Sequence, residues 1–233
     1  MKIVILSGAG LSAESGIETF RAKDGLWANH SVDDVATMAG FTANPTLVHN
    51  FYNARRRQLK TVKPNAAHYA LAKLETMPDI ELLHVTQNID DLCERAGEQK
   101  LIHLHGELLK CRCLMCAEVI DWQRDASIDI SCPKCGFNSE WGAIRPHVVW
   151  FGEMPLQMNT IETALKSCDL FVAIGTSGKV YPAANFVQLA QNGQAKTLSL
   201  NKDPAANNQL FDNSITGNAT EIVPQWVDSL KNR

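Results

Sequence analysis

The 233-residue chain contains no apolar run approaching the roughly 18–20 residues that span a bilayer. It has no surplus of either charge. Lys and Arg number 22 against 25 Asp and Glu, for a net charge of −3, which argues against a broad electrostatic footprint for nucleic acid or anionic membrane. Internal repeats and low-complexity segments are absent too. The opening MKIVILSGAG has one lysine and a short apolar run before a glycine turn, too little for a secretory h-region, so the expected location is cytoplasmic. What remains is ordinary globular material. Hydrophobic residues make up 45% and charged residues 20%, enough to bury one sizeable core.

Seven cysteines are present, and in a reducing compartment they are not expected to form a disulfide framework. Four fall as Cys113-x2-Cys116 and Cys132-x2-Cys135, with fifteen residues between the hooks. Two hooks at that separation can close four thiolates around one tetrahedral zinc, leaving no open position for water, so the metal is expected to be structural. Cys111 lies two residues ahead of the first ligand and is a possible competitor. Between Cys113 and Cys135 the bases Arg124 and Lys134 face the acids Glu118, Asp121, Asp125 and Asp129, the wrong sign for gripping phosphates. The module reads as a clamp on a small insertion.

Around that insertion, short apolar runs alternate with helical stretches, the pattern of a doubly wound parallel α/β sheet. Strands are expected at Lys2–Leu6, Leu82–Thr86, Leu170–Ile174 and Thr197–Leu200, and helices over 46–59, 65–76, 156–167 and 182–191. A last short helix, Val223–Leu230, is expected to begin at Pro224. Each strand ends in glycine or small polar residues: Ser7-Gly8-Ala9-Gly10, Gln87-Asn88-Ile89-Asp90, Gly175-Thr176-Ser177, and Asn201. Open α/β sheets bind ligands outside the carboxyl ends of their strands, so these turns are expected to converge on one crevice. Gly8-Ala9-Gly10-Leu11-Ser12-Ala13 fits G-x-G-x-x-A directly after a strand, a turn that brings backbone amides to a pyrophosphate. No acid on a second strand follows about 20 residues later, as a hydride-transferring dehydrogenase would supply. NAD is the expected nucleotide, without simple hydride transfer.

Asn44-Pro45 is a helix start, and at 3.6 residues per turn Leu47, Val48, Phe51, Tyr52 and Leu59 share one arc. Arg55 falls in the middle of that arc, where a guanidinium needs a partner or a pocket. Tyr52, three residues earlier, is close enough to share one ligand, and a planar fork beside a phenol suits a carboxylate. Arg56 and Arg57 are expected on a solvated face.

Taken in order, GAGLSAESGIETFR (8–21), DGLW (24–27), TQNID (86–90), HLHGE (103–107), the two CxxC pairs, HVVWFGE (147–153), GTSG (175–178) and LN (200–201) make the sequence resemble the sirtuins, NAD-dependent protein-lysine deacylases. Tyr52 and Arg55 match the Tyr-x-x-Arg pair of the class III, bacterial CobB-type group, which implies acidic acyl substrates such as succinyl- or malonyl-lysine beside acetyl-lysine. The resemblance implies a Rossmann-like large lobe (about 1–30, 78–108 and 143–233) and a small lobe (about 31–77 and the zinc module 109–142). It makes His105 the general base. In the implied reaction the acyl oxygen attacks C1′ of the nicotinamide ribose, nicotinamide leaves, and His105 deprotonates a ribose hydroxyl on the way to O-acyl-ADP-ribose. His103, two residues earlier, is expected to face away from His105.

Carried over by motif, Gly8, Ala9, Gly10 and Ala13 would line phosphates and ribose, with Phe20 and Arg21 at the nicotinamide end. Gln87, Asn88, Ile89 and Asp90 would form the nicotinamide pocket. Gly175, Thr176, Ser177, Asn201 and Ala219 would hold the adenosine half. Val149 and Phe151 belong to a run that would pair with an acyl-lysine peptide by β-augmentation. Cys93 stands where many relatives carry histidine. Mono-ADP-ribosyl transfer and non-catalytic NAD sensing are the rival readings.

Overall fold

The computed structural model describes residues 1–18, 26–27 and 30–231, apart from the Leu26 side chain. Phe20 and Arg21 therefore lie outside the described residues. The central strand, β1 (Lys2–Ser7), is buried from its second residue onward, as expected of a strand covered on both faces. Its alternation splits the core. Ile3 and Ile5 join one hydrophobic cluster, and Val4 and Leu6 join the other on the opposite face.

Between β1 and the next sheet strand lies a helical excursion. Strands β2 (Leu26–Trp27) and β3 (His30–Ser31) form a small antiparallel pair. Helices α1 (Val32–Val35), α2 (Met38–Ala43), α3 (Pro45–Leu59) and α4 (Ala66–Glu75) follow. Helix α3 starts where its sequence says: the Asn44 side chain accepts from Leu47 N at 2.9 Å and Pro45 occupies the first turn. Asn65 and His68 cap α4 reciprocally.

The chain continues through β4 (Glu81–Thr86), α5 (Leu92–Ala96) and β5 (Leu101–His103) into an antiparallel trio, β6 (Gly106–Cys113), β7 (Val119–Asp121) and β8 (Ile144–Val148), in the order β7-β6-β8. It then returns through α6 (Met158–Leu165), β9 (Leu170–Ile174), α7 (Phe186–Asn192), β10 (Lys196–Asn201), β11 (Asn213–Thr216) and α8 (Ala219–Leu230).

Among the described residues the main sheet has six parallel strands in the order β11-β10-β9-β1-β4-β5. After β1 the chain builds outward through β4 and β5, then crosses to the other side for β9, β10 and β11. The switch point therefore lies between β1 and β9, the place at which open α/β sheets bind ligands outside the carboxyl ends of their strands. Helices α4 and α8 cover one face through Leu71, Leu74, Val223 and Trp226. Helices α6 and α7 cover the other through Ile161, Leu165, Phe186 and Val187.

Two strands of the main sheet escaped the hydrophobic pattern for a physical reason. Strand β5 is three residues long with only Ile102 buried, and the four polar-rich residues of β11 are all exposed at the sheet edge. Helix α8 begins five residues before Pro224, not at it. The Glu14 carboxylate accepts from Thr220 N at 3.0 Å and from Thr220 Oγ1 at 2.7 Å, satisfying the helix start from far along the chain.

The expected solvated face of α3 is also corrected. Arg57 is half exposed and pairs with Asp125, but Arg56 is 1% exposed. Its Nε donates to the Leu108 carbonyl at 2.9 Å, Nη1 to Asn53 Oδ1 at 2.8 Å, and Nη2 to Cys111 Sγ at 3.5 Å. The β6 strand packs on that side of α3, so a guanidinium that helical periodicity sets outside the apolar arc is enclosed by a second element.

Candidate active site

The turns after β1 and β9 touch through bare backbone. Gly8 N donates to Ile174 O at 2.9 Å and Gly10 N to Gly175 O at 2.8 Å. A Cβ on Gly10 would lie 2.6 Å from Gly175 Cα, and one on Gly175, whose φ is +60°, would lie 2.4 Å from Leu11 N. Only glycine permits that approach. The turn after β4 joins the same crevice: Gln87 N donates to Ser7 O at 2.9 Å, and Gln87 Nε2 to Thr176 Oγ1 at 3.0 Å. At the fourth tip, Gly175 N donates to Leu200 O and Gly217 N to Asn201 O. Asn201 is buried and donates to Ser199 Oγ. Ala219 opens α8 two residues after Gly217. The four turns are thus stitched side by side, with Ser177 the exposed member of its group.

Sequence reasoning passed over the hub of this crevice. Ser12, fully buried, donates to Asp90 Oδ2 at 3.0 Å and lies 3.3 Å from His68 Nε2. Asn88 Nδ2 donates both to Ser12 Oγ and to Gly8 O, each at 3.2 Å. A hydroxyl inside a glycine-rich turn was the available signal. Burial raises the Asp90 carboxyl to about 6, against the opposing hydrogen bonds from Leu92 N and Ser12. It therefore changes charge close to neutral pH.

A second buried chain lies beneath. Glu98 meets His84 Nδ1 at 2.6 Å, His84 Nε2 meets Ser7 Oγ at 2.7 Å, and Ser7 donates to Thr86 Oγ1, which accepts from Asn88 N. These groups anchor the base of the 87–90 loop. Ser7, Thr86 and Asn88 belong to the turn and motif segments, but His84 and Glu98 lie in none, and only folding brings them together.

His105 sits in the turn between β5 and β6. Its Nδ1–H donates to the Gln87 carbonyl at 3.1 Å, which fixes the tautomer and leaves Nε2 with its lone pair. Burial lowers its proton affinity below the ordinary imidazole value, partly opposed by that carbonyl, so the neutral form prevails at pH 7. Such a group can accept a proton from a hydroxyl placed at Nε2. Its own carbonyl accepts from Val149 N at 2.8 Å. His103 does not face away: two residues apart on one extended segment share a side, and its ring meets the next carbonyl of the same loop, that of Asn88, and also Glu94.

The segment after β8 alternates. Val148 and Trp150 are buried, Val149 is half-buried, and Phe151 is 53% exposed. Phe151 N donates to Ala36 O. Trp150 Nε1 donates to the Tyr52 hydroxyl at 2.9 Å, and Tyr52 is fully buried. Burial keeps the phenol protonated far above neutrality.

Arg55 opens elsewhere, into a cavity of about 50 Å³ whose walls include Ile17, Trp27, Leu108 and, from the β4 loop, Ile89 and Asp90. The guanidinium lies 3.3 Å over the Phe51 ring and 5.4 Å from that of Trp27, and donates to Phe51 O at 2.7 Å. Burial lowers its affinity for a proton to about 10, countered by Tyr52 and Glu18, so it stays charged at pH 7. Tyr52 and Arg55 share a helix face, but Tyr52 does not line this cavity.

Away from the crevice, the sulfur atoms of Cys113, Cys116, Cys132 and Cys135 all lie within 4.8 Å of one another. Cys113 and Cys135 are 3.8 Å apart, and Cys116 and Cys132 3.9 Å. A tetrahedron with Zn–S bonds of about 2.3 Å has sulfur separations of about 3.8 Å, so the set fits a structural zinc. Cys111 does not belong to it. It faces Arg56 from the middle of the antiparallel trio, with its thiol pushed up to about 11 by burial, against the pull of Arg56. Strand alternation would point it to the same side as Cys113, but it sits too deep, against α3, to join the thiols.

A parallel sheet with glycine turns gathered at its switch point, an imidazole at the rim and a thiol-bound lobe beside it defines an NAD-binding α/β protein with structural zinc. Residues 8–182 match the Sir2 family, and the chain belongs to that family. It is 56% identical over 233 residues to NAD-dependent protein deacylase SIR2rp3 of Leishmania major, covering 98% of this chain and 95% of that one. It is 54% identical over 229 residues to an NAD-dependent protein deacylase of Pasteurella multocida, covering 97% of each. A crystal structure of a Sir2 homolog–NAD complex superposes with a TM-score of 0.89 at 35% identity, covering 99% of this chain and 90% of that one.

Proposed function

We propose that the chain removes acyl groups from protein lysine side chains with consumption of NAD, and that acidic groups such as succinyl and malonyl are among them beside acetyl. The observation that carries the acidic preference is Arg55, a charged guanidinium in a cavity shared with Ile89 and Asp90 of the β4 loop. No ion pair to it occurs among the described residues. Its two aromatic neighbours hold it without neutralising it, and Glu18, on the same cavity wall, favours its charge without closing an ion pair, so the guanidinium can still meet a substrate carboxylate.

In this reading the turns at Gly8, Ala9, Gly10 and Ala13 carry the phosphates and ribose. Gln87, Asn88, Ile89 and Asp90 carry the nicotinamide half. Gly175, Thr176, Ser177, Asn201 and Ala219 carry the adenosine half. Phe20 and Arg21 keep their expected roles at the nicotinamide end. NAD supplies an electrophilic ribose carbon whose nicotinamide leaves as the acyl oxygen arrives. His105 Nε2 takes the proton of a ribose hydroxyl, and the Gln87 carbonyl holds the ring in the tautomer that can do so. Val149 and Phe151, whose N–H groups are already committed to His105 O and Ala36 O, flank the proposed path of an extended acyl-lysine peptide. Tyr52 supports the acyl site from behind Trp27, whose ring it meets edge-on at 6.1 Å.

The lobes are proposed to divide by packing. Helix α4 is counted with the large one because Leu71 and Leu74 lie in the sheet's core, and α1–α3 with the zinc module form the small one. Four thiols committed to zinc suit the reducing cytoplasm.

Acetyl and succinyl versions of one peptide, incubated with NAD, test the reading. Arg55→Met is expected to lower kcat/KM for the succinyl peptide by about tenfold or more while the acetyl peptide changes little, since a charge-assisted pair is lost for one substrate only. His105→Ala should abolish both by about 10²–10⁴. Equal losses on the two peptides in Arg55→Met would sink the acidic preference, and ADP-ribose appearing on protein would favour transferase chemistry.

A further inference from the structure

We propose that His103 is a positioning residue: by donating to the Asn88 carbonyl and to Glu94 together, it holds the Gln87–Asp90 loop beside His105, and the hold loosens when the ring loses one proton. The inference deepens the deacylase reading and rests on it.

The geometry is one of two acceptors facing two ring nitrogens. His103 Nδ1 lies 3.1 Å from Asn88 O, and Nε2 lies 2.7 Å from Glu94 Oε1. A carbonyl and a carboxylate cannot donate, so both contacts are hydrogen bonds only when both nitrogens carry hydrogen. A neutral imidazole has one N–H. The charge-assisted bond to Glu94 keeps it, and a lone pair then faces the Asn88 carbonyl.

The surroundings favour the charged ring. Glu94 on α5 is in contact, and the carboxylate of Glu107 on β6 lies in the same cluster, within 4.8 Å of the other two groups. Glu107 is itself paired with Lys110 at 2.8 Å. Asp90, at the end of the loop, is a further charged group among the described residues that interacts with the ring. Burial alone would lower the proton affinity of His103, but Glu94, the Asn88 carbonyl and Glu107 outweigh it and the net direction is upward. The Glu94 carboxyl is held below its usual range, with burial opposing and the His103 hydrogen bond and charge prevailing.

Two residues further on, His105 grips the preceding carbonyl, that of Gln87, through Nδ1 alone, and burial lowers its proton affinity. Successive carbonyls of one loop are thus held by two histidines of one segment in opposite charge states. What His103 holds is consequential, because the side chain of Asn88 bridges Gly8 O and Ser12 Oγ. A released carbonyl would let that bridge drift, and small misplacements in a reacting site are costly.

Glu94→Gln separates this from simple structural support. The amide introduced by that substitution can donate to His103 Nε2 while Nδ1–H still serves Asn88, a satisfied neutral arrangement. The expected result in the wild-type chain is an alkaline fall of about tenfold in kcat/KM for NAD as His103 deprotonates. Glu94→Gln should retain activity at pH 7 and lose that alkaline limb. NMR of histidine-labelled protein should show His103 titrating above the ordinary imidazole value, lower in Glu94→Gln, with the Asn88 and Ile89 amides following it. Superimposable pH profiles, or His103 titrating at or below its ordinary value, would overturn the proposal. A wild-type chain without NAD-dependent deacylation overturns the deacylase reading instead. The NMR arm then decides the hold alone: amides that track His103 support it, and unmoved amides refute it.

Discussion

The sheet tips and the zinc-bearing lobe fix their key groups by opposite means. At the tips, geometry comes from side chains that are missing: glycines let the β1 and β9 turns bond through backbone at 2.8–2.9 Å, and the strands behind them are buried on both faces. In the lobe, geometry comes from side chains that are present, four thiols over a small cluster that includes Trp122, Ala126 and Ile144. The first arrangement draws its stability from burial across the whole domain. The second has little apolar area to bury and depends on a metal ion. A site that must approach a ligand with bare backbone belongs on the first, and a lobe packed against its flank can be secured by the second.

The largest expected effect breaks the lobe and spares the sheet. Removing zinc with a strong chelator should disorder residues around 113–135 while the parallel sheet stays folded, since structural zinc contributes about 10–16 kcal/mol of apparent binding energy in small modules. Amide exchange mapped along the chain checks this, and protection lost equally in β1 would refute it. Cys113→Ala should release the metal in the same way. Cys111→Ala should leave zinc content at one per chain, because Cys111 faces Arg56 rather than the cluster.

The tips should respond to a single methyl group. Gly175→Ala places a Cβ 2.4 Å from Leu11 N at a φ of +60°, so a stability loss of about 2–5 kcal/mol is expected, with weakened NAD affinity. Denaturant unfolding and NAD titration measure the two effects. Gly136 also has positive φ, in the zinc lobe, but with nothing within 4 Å. Gly136→Ala should therefore cost only the conformational strain, about 1–2 kcal/mol, and a loss as large as that of Gly175→Ala would undo the contrast.

Much of this was legible along the chain because the signals are local. Ile3 to Leu6 read as a buried strand, Asn44-Pro45 as a helix start, and the two CxxC hooks as one metal site without reference to anything distant. Arg56 shows where that kind of reading stops. Helical periodicity sets it outside the apolar arc of α3, yet it is enclosed, because β6, some fifty residues on, supplies Leu108 O and Cys111 to its guanidinium. Strand β11 was missed because a sheet edge imposes no apolar pattern on its residues.

Sequence alone determined the alternation of strands and helices, the zinc ligands, and the glycines that the tight turns require. Each of these depends on neighbours within a few residues or on the chemistry of one side chain. Folding decided which carbonyls His103 and His105 face, where Ser12 and Asp90 meet, that Trp150 holds Tyr52, and that Arg55 shares a cavity with the β4 loop. Those contacts join segments far apart in the chain, and the direction of a hydrogen bond or the charge of a buried ring exists only once the partners have been brought together.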